Sequence, residues 1–234
     1  MAHEEHLTQQ PRYLGRQWYP DERDQDYLVQ PGPLRIHPDH GWHYWWAEGW
    51  WGNQLDLPWC VAYSLLHKLA DGPRVWQGKN PAMDPGLLYC EAQARDPWFG
   101  DCTNPRYDGT SVRAGAKALR DHGLITEFRW AFTFDDVIAT LATEGPLVMG
   151  TSWYRGMSQP HSKGSFRGAS YIEPTGSYEG GHAYLVNGVS FYREAVRVKN
   201  SWGRNWGDRG YAWLSFNGLK KLMEDEWAEA CLIL

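Results

Sequence analysis

The spacing of apolar residues changes near the middle of this chain, at Gly145-Pro146, and that change limits the fold more than any other feature. Before it, apolar residues recur at helical intervals. Trp59, Val61, Ala62, Leu65, Leu66 and Leu69 form one face of a helix that Asp71-Gly72-Pro73 stops. A second helix is predicted from Asp84 to Ala94, with Pro85 early enough that its missing N–H costs nothing. A third runs from Thr110 or Ser111 through Val112, Ala116 and Leu119 to His122, and Gly123 ends it. A fourth starts near Thr133, carries Asp135 and Asp136 in its first turn, and continues through Val137, Ile138 and Leu141. After Gly145-Pro146 the runs are short, β-branched or aromatic, and divided by Gly and Ser, as strands are: Leu147–Met149, His182–Val189, Ala195–Lys199 and Tyr211–Phe216. Helices first and strands second predict an α+β chain with one lobe of each kind.

At 234 residues the chain fits one large domain or two small lobes with a real core. Residues 1 to about 40, punctuated by Pro20, Pro31, Pro33 and Pro38, read as an extended arm that follows the surface without helices. The net charge of −5 is dispersed, so there is no basic stripe for nucleic acid. Met1 to Gln10 carries no basic segment followed by an apolar run, and nothing approaches the ~20 apolar residues of a membrane helix. The expectation is a soluble cytoplasmic protein, or a virion-associated one if its source is viral. Cys60, Cys90, Cys102 and Cys231 lack CxxC spacing, which argues against a zinc cluster, and no cofactor is expected. A Cys90–Cys102 pair is left open. Five tryptophans fall within ten residues, Trp42, Trp45, Trp46, Trp50 and Trp51. They read as core or lobe-interface filling ahead of an aromatic platform for sugars or peptides.

Three blocks carry chemistry. Cys60 sits at a helix start, where free N–H groups and the helix dipole lower a thiol pKa, although a lone cysteine on an apolar helix is more often inert. Gln54, six residues earlier, offers an amide that could fold back beside the sulfur and hold a developing oxyanion. His182 opens a strand after Gly180-Gly181, two glycines that let another chain approach closely. The third block is Asn200-Ser201-Trp202-Gly203-Arg204-Asn205-Trp206-Gly207-Asp208-Arg209-Gly210-Tyr211.

That last block resembles the Asn-Ser-Trp-Gly-x-x-Trp-Gly-x-x-Gly-Tyr pattern of papain-like cysteine peptidases. The resemblance implies a two-lobed α+β fold in which Cys60 is the nucleophile, His182 the general base and acid, Asn200 the residue that orients the histidine, and Gln54 the oxyanion donor. It implies that Trp202 shields the His–Asn bond, and that Gly109, Gly181 and Trp202 meet the substrate. Chain order agrees, and the separations from Cys60 of 122 (182 − 60) and 140 (200 − 60) lie near the family's about 130–150. Asp108-Gly109-Thr110-Ser111-Val112-Arg113 and the segment from Leu14-Gly15 to Pro20-Asp21-Glu22-Arg23-Asp24 resemble the bacterial branch. Residues 1–50 then form an arm and lead-in, and 51–234 the catalytic domain, with a helical lobe over about 51–130 and a β-rich lobe over about 131–234.

Departures are specific. Leu57 stands where plant and lysosomal members have a disulfide-forming cysteine, and Val61 where they have a tryptophan. Gly109 alone represents their pair of substrate-binding glycines. No propeptide of the usual length is expected ahead of the domain, and residues 151–178 form a candidate substrate-side loop. The expected activity is hydrolysis of peptides or proteins through a thiolate–imidazolium pair. The alternative is the same shell used to bind a peptide or a partner, or to serve in an assembly, with little turnover.

Overall fold

A computed structural model describes residues 14–33, 49–73, 80–104, 108–162, 169–225 and 227–234. Its helices are α1 (Cys60–Asp71), α2 (Pro85–Gln93), α3 (Val112–Asp121), α4 (Phe134–Thr143), α5 (Arg155–Ser158) and α6 (Phe216–Met223). Cap chemistry sets four of the starts. Asp84, Ser111, Thr133 and Ser215 each accept a backbone N–H from the first turn they precede, worth about 1 kcal/mol apiece. The strands are β1 (Phe128–Ala131), β2 (Leu147–Tyr154), β3 (His161–Ser162), β4 (Ser170–Ile172), β5 (Tyr178–Ser190), β6 (Ala195–Lys199), β7 (Tyr211–Ser215) and β8 (Glu229–Ile233).

The eight strands form one sheet in the order β1-β8-β2-β5-β6-β7-β4-β3, antiparallel except where β4 meets β7. Its central strands are buried on both faces. Alternate residues serve different cores: Val148, Ala183, Leu185 and Cys231 pack with Leu65, Leu66 and Leu119 of the helices. Their neighbours Leu147, Met149, Tyr184 and Val186 pack with Val137 and Leu141 of α4 and Leu219 of α6. The helical lobe and the β-rich lobe thus share β2, β5 and β8 as a common wall.

Several elements differ from the sequence reading. β2 and β5 run longer than expected, because their polar residues Thr151, Ser152, Asn187 and Ser190 are buried with hydrogen-bond partners. The short β1 and β8 pair with each other, Phe128 opposite Ile233, and neither is bracketed by turn residues. Within the arm, Glu22–Tyr27 forms a 3-10 helix capped by Asp21, where no helix was expected. Arg113 of α3 holds that turn through Asp21 and Asp24. Residues 151–162 and 169–178 hold the end of β2, then α5, β3, β4 and the first residue of β5. Cys90 and Cys102 form a disulfide, and Cys60 and Cys231 are free. Trp42, Trp45 and Trp46 lie outside the described residues; Trp50 stacks on Tyr63 and Trp51 on His67, as packing residues.

An ion pair closes the wall between the lobes. Lys199 Nζ at the end of β6 lies 2.5 Å from Asp71 Oδ1 at the end of α1, and neither side chain meets solvent. Asn187 Nδ2 and the Gly49 N–H also donate to Asp71, and Lys199 donates to the Trp50 carbonyl. Burial pushes the Asp71 carboxyl up, while Lys199 and the other donors pull it back down. Asp71→Ala would leave Lys199 charged with its carboxylate gone; urea unfolding should show a loss of about 3–5 kcal/mol.

Lys68, one turn earlier, is buried with the Gly72 carbonyl accepting from its Nζ, and burial lowers its pKa to about 8. The folded chain therefore releases this proton near pH 8, and the unfolded chain near its ordinary value of 10.5. Below pH 8 the buried charge opposes folding; between 8 and 10.5 that cost fades, by up to about 1.4 kcal/mol per pH unit. Lys68→Met should be most stabilising at pH 7, and its advantage over wild type should shrink as unfolding is repeated toward pH 10.

Candidate active site

Cys60 is the first residue of α1 and is wholly buried. The backbone N–H groups of Ala183, Gly15 and Val61 bond toward its sulfur. Ala183 follows His182 on β5, so the histidine strand lies directly against the helix start. β5 pairs with β2, Thr151 opposite His182, and with β6, Leu185 opposite Lys199. The chain leaving β6 then sets Asn200 beside His182.

The His–Asn contact has a defined polarity. Asn200 Oδ1 accepts the Ser201 N–H at 2.8 Å and lies 2.9 Å from His182 Nε2. Since the backbone N–H fixes which amide atom is oxygen, His182 Nε2 must be the donor there. Nδ1 is then the nitrogen that carries the lone pair and can take up a proton. Two indoles enclose this imidazole: Trp153 meets it edge to face at 4.6 Å and Trp202 lies tilted at 4.7 Å between ring centres. Trp202 packs on the imidazole of the His182–Asn200 pair. Trp153 was missed, because on β2 only its register relative to His182 marks it.

Gln54 is buried and tied into the same block. Its N–H donates to the Ser201 carbonyl, the Ser201 hydroxyl donates to its Oε1 at 2.6 Å, and its Nε2 donates to the Leu57 carbonyl at 2.6 Å. The segment leading into Cys60 and the segment after Asn200 are therefore locked together. Gly109 borders the seated arm, since a Cβ there would lie 2.8 Å from the Gly15 carbonyl oxygen, but its own backbone is engaged elsewhere. Its N–H is taken from behind by accepting Tyr89 Oη, and its carbonyl accepts from Gln93 Nε2. Main-chain pairing across the cleft falls on Thr110 instead.

That pairing is made by the arm, which leaves the surface and enters the cleft. The Thr110 N–H donates to the Gly15 carbonyl and the Gln17 N–H to the Thr110 carbonyl, both at 2.9 Å, while the Arg16 N–H donates to the Gly181 carbonyl at 3.2 Å. Gly15 passes so close that a Cβ there would lie 2.0 Å from the Pro58 carbonyl oxygen, and one on Gly181 would lie 2.3 Å from that of Arg16. Close approach is what Gly181 permits.

The arm changes the expected electrostatics of the thiol. The helix start should lower its pKa, yet with the arm seated, burial pushes the Cys60 thiol up, against the three N–H groups and the nearby Arg16 charge. Removing water from around the sulfur outweighs the partial charges of the helix end. The described residues hold no cluster of His, Cys, Asp and Glu suited to a metal ion, and no helix among them is long and apolar enough to cross a membrane.

A side chain at position 15 should lift the arm. Gly15→Val should speed iodoacetamide modification of Cys60 at pH 7 by about tenfold for each unit by which the thiol pKa falls, while Cys231 stays unmodified; intact mass and peptide mapping read both sites.

The sequence profile described as papain family cysteine protease matches residues 111–227, half of the chain. No curated protein sequence matches. Among solved structures, xylellain, a cysteine protease from Xylella fastidiosa, is 19% identical, covers 97% of this chain and 98% of its own, and has a TM-score of 0.65. Digestive procathepsin L 3 of Tenebrio molitor larval midgut is 13% identical over 95% of this chain and 76% of its own, with a TM-score of 0.60. Procathepsin B S9 from Trypanosoma congolense is 12% identical over 95% and 86%, at 0.59. With the profile over half the chain and a two-lobed α+β fold shared along nearly all of it, this chain belongs to the papain family of cysteine proteases and is a hydrolase.

Proposed function

We propose that this protease cleaves peptide bonds with Cys60 as nucleophile, His182 as base and acid, Asn200 as the residue that orients the imidazole, and Gln54 with the Cys60 N–H as oxyanion donors. The observation that carries the reading is the His182–Asn200 hydrogen bond, whose polarity the Ser201 N–H sets and which leaves Nδ1 as the basic nitrogen next to the strand that meets the sulfur.

The steps follow from these positions. With the arm withdrawn, water and substrate reach the cleft and the desolvation that holds the thiol neutral is relieved. His182 Nδ1 takes the Cys60 proton, and the helix start stabilises the thiolate. The sulfur attacks the peptide carbonyl, and Gln54 Nε2 with the Cys60 N–H holds the negative oxygen. His182 returns the proton to the leaving amine, leaving a thioester. It then takes a proton from water, which attacks the acyl carbon, and gives that proton to the departing sulfur. Asn200 keeps the ring in one orientation throughout without itself changing charge. Substrates are peptides or proteins, which extend along the two walls by main-chain pairing.

Cleavage of a fluorogenic peptide tests the assignment. Cys60→Ala should abolish turnover in a protein with wild-type circular dichroism. Gln54→Ala should lower kcat by about 10²–10³, and Asn200→Ala should lower it less than loss of the thiol does. The pH–rate profile should be bell-shaped, with the acid limb assigned to the His182–Cys60 pair and absent from His182→Ala. A Cys60→Ala protein that keeps full activity would refute the assignment.

A further inference from the structure

The Thr110 carbonyl that accepts from the arm belongs to the peptide joining Thr110 to Ser111, and the other side of that peptide is gripped from behind. In a trans peptide the carbonyl and the N–H point opposite ways. The Thr110 carbonyl takes the Gln17 N–H at 2.9 Å, so the Ser111 N–H faces away from the arm, where Asp96 Oδ1 accepts it at 3.3 Å. The two hydroxyls flanking this peptide go to the same carboxylate. Thr110 Oγ1 donates to Asp96 Oδ2 and Ser111 Oγ to Asp96 Oδ1, each at 2.6 Å. Thr110 and Ser111 are buried and Asp96 is half-buried. Burial pushes the Asp96 carboxyl up, against the pull of these donors and of the nearby Lys117 ammonium.

Asp96 is itself placed by α2. Its N–H donates to the Ala92 and Gln93 carbonyls at the end of that helix. Tyr89, Gln93 and Asp96 stand at i, i+4 and i+7, on one face of the helix and of the turn that follows it. Tyr89 and Gln93 hold Gly109, and Asp96 holds Thr110 and Ser111, so one face of α2 backs three consecutive residues of the cleft wall. Only Asp96 among the three carries a charge, and it acts on the peptide whose carbonyl pairs with the arm. An anionic acceptor on an amide N–H pushes electron density toward the carbonyl oxygen of the same amide, which makes that oxygen a stronger acceptor, as bonds in a chain do where water is scarce. The two hydroxyl bonds meanwhile fix the plane of the peptide, and with it the direction in which the carbonyl points.

We propose that Asp96 is a positioning residue for the substrate: from outside the cleft it aims and polarises the Thr110 carbonyl, which accepts the Gln17 N–H while the arm is seated and a main-chain N–H of the substrate once the arm withdraws. Asp96 itself touches no substrate and acts through Thr110. This rests on the reading above that peptides bind and are cleaved along this cleft.

Two measurements on the full-length chain separate this role from the assignment of Cys60. The first needs no turnover. In NMR spectra of the isotope-labelled protein the Gln17 amide proton reports its bond to the Thr110 carbonyl, and the Arg16 amide proton, bonded to the Gly181 carbonyl, is the internal control. Asp96→Asn should move the Gln17 proton upfield and leave that of Arg16 in place. Thr110→Val, which removes one hydroxyl bond at nearly constant size, should act in the same direction to a lesser degree, and it carries the test if Asp96→Asn does not fold. Thr110→Ser, which keeps the hydroxyl, should match wild type. An unmoved Gln17 proton, or equal shifts of Gln17 and Arg16, overturns the proposal. The second measurement is kinetic. Blocked peptides in which each amide N–H in turn is replaced by an ester oxygen locate the substrate N–H that Thr110 accepts, as the position where wild type loses up to about tenfold in kcat/KM. The amide:ester ratio at that position compares two substrates on one enzyme, so the tightness of the arm cancels; it should fall at least about threefold in Asp96→Asn. Turnover with an unchanged ratio overturns the positioning role and leaves Cys60 in place; absent turnover and absent Cys60 labelling, with the Gln17 shift intact, overturn the catalytic assignment alone.

Discussion

The buried Lys199–Asp71 pair is the contact on which the placement of the site depends. α1 begins with Cys60 and ends with Asp71, a rigid rod of roughly 17 Å. Lys199 is the last residue of β6 and Asn200 follows it. Fastening Asp71 to Lys199 therefore fixes the far end of the thiol helix to the strand that leads into Asn200. Two charges without water are tolerable here because Asn187, Gly49 and the Trp50 carbonyl supply hydrogen bonds that solvent would otherwise give. β5 does the rest: His182 near one end and Asn187 farther along belong to one strand, so imidazole and ion pair move as a unit.

A second constraint, desolvation, sets the chemical state of the thiol. The same sulfur faces a helix start, which favours the thiolate, and a seated arm, which removes water and favours the thiol. Burial wins while Gly15 lies against Pro58. The arm thereby couples geometry to reactivity through ordinary solvation, without a covalent change. Arg16 adds a specific anchor, its buried ion pair with Glu229, to the general main-chain pairing.

Much of the local structure was readable. The starts of α2, α3 and α4 followed from Asp84, Ser111 and Thr133, because a cap is a short-range hydrogen bond between residues three apart. The α+β order followed from the change of period at Gly145-Pro146. What escaped were elements defined by distant partners. β1 and β8 are strands because Phe128 and Ile233 meet across more than a hundred residues, and Trp153 encloses His182 only through the β2–β5 register. Gly109 shows the same limit at the scale of one residue: that Tyr89 and Gln93 claim its backbone, and that Thr110 makes the main-chain pairing with the arm, depends on distant partners.

The sequence by itself determined which residues the family pattern singles out and in what order they come, since a thiol at a helix start, a histidine behind glycines and the Asn-Ser-Trp-Gly block are local patterns of residue type. Tertiary structure alone decided the state of that chemistry. It brought the arm into the cleft, raised the thiol pKa by excluding water, chose the basic nitrogen of His182 through the Ser201 N–H, and joined Arg16 to Glu229 across the length of the chain. Each of these depends on solvent exclusion or on contacts between residues far apart in sequence, and neither quantity exists until the chain has folded.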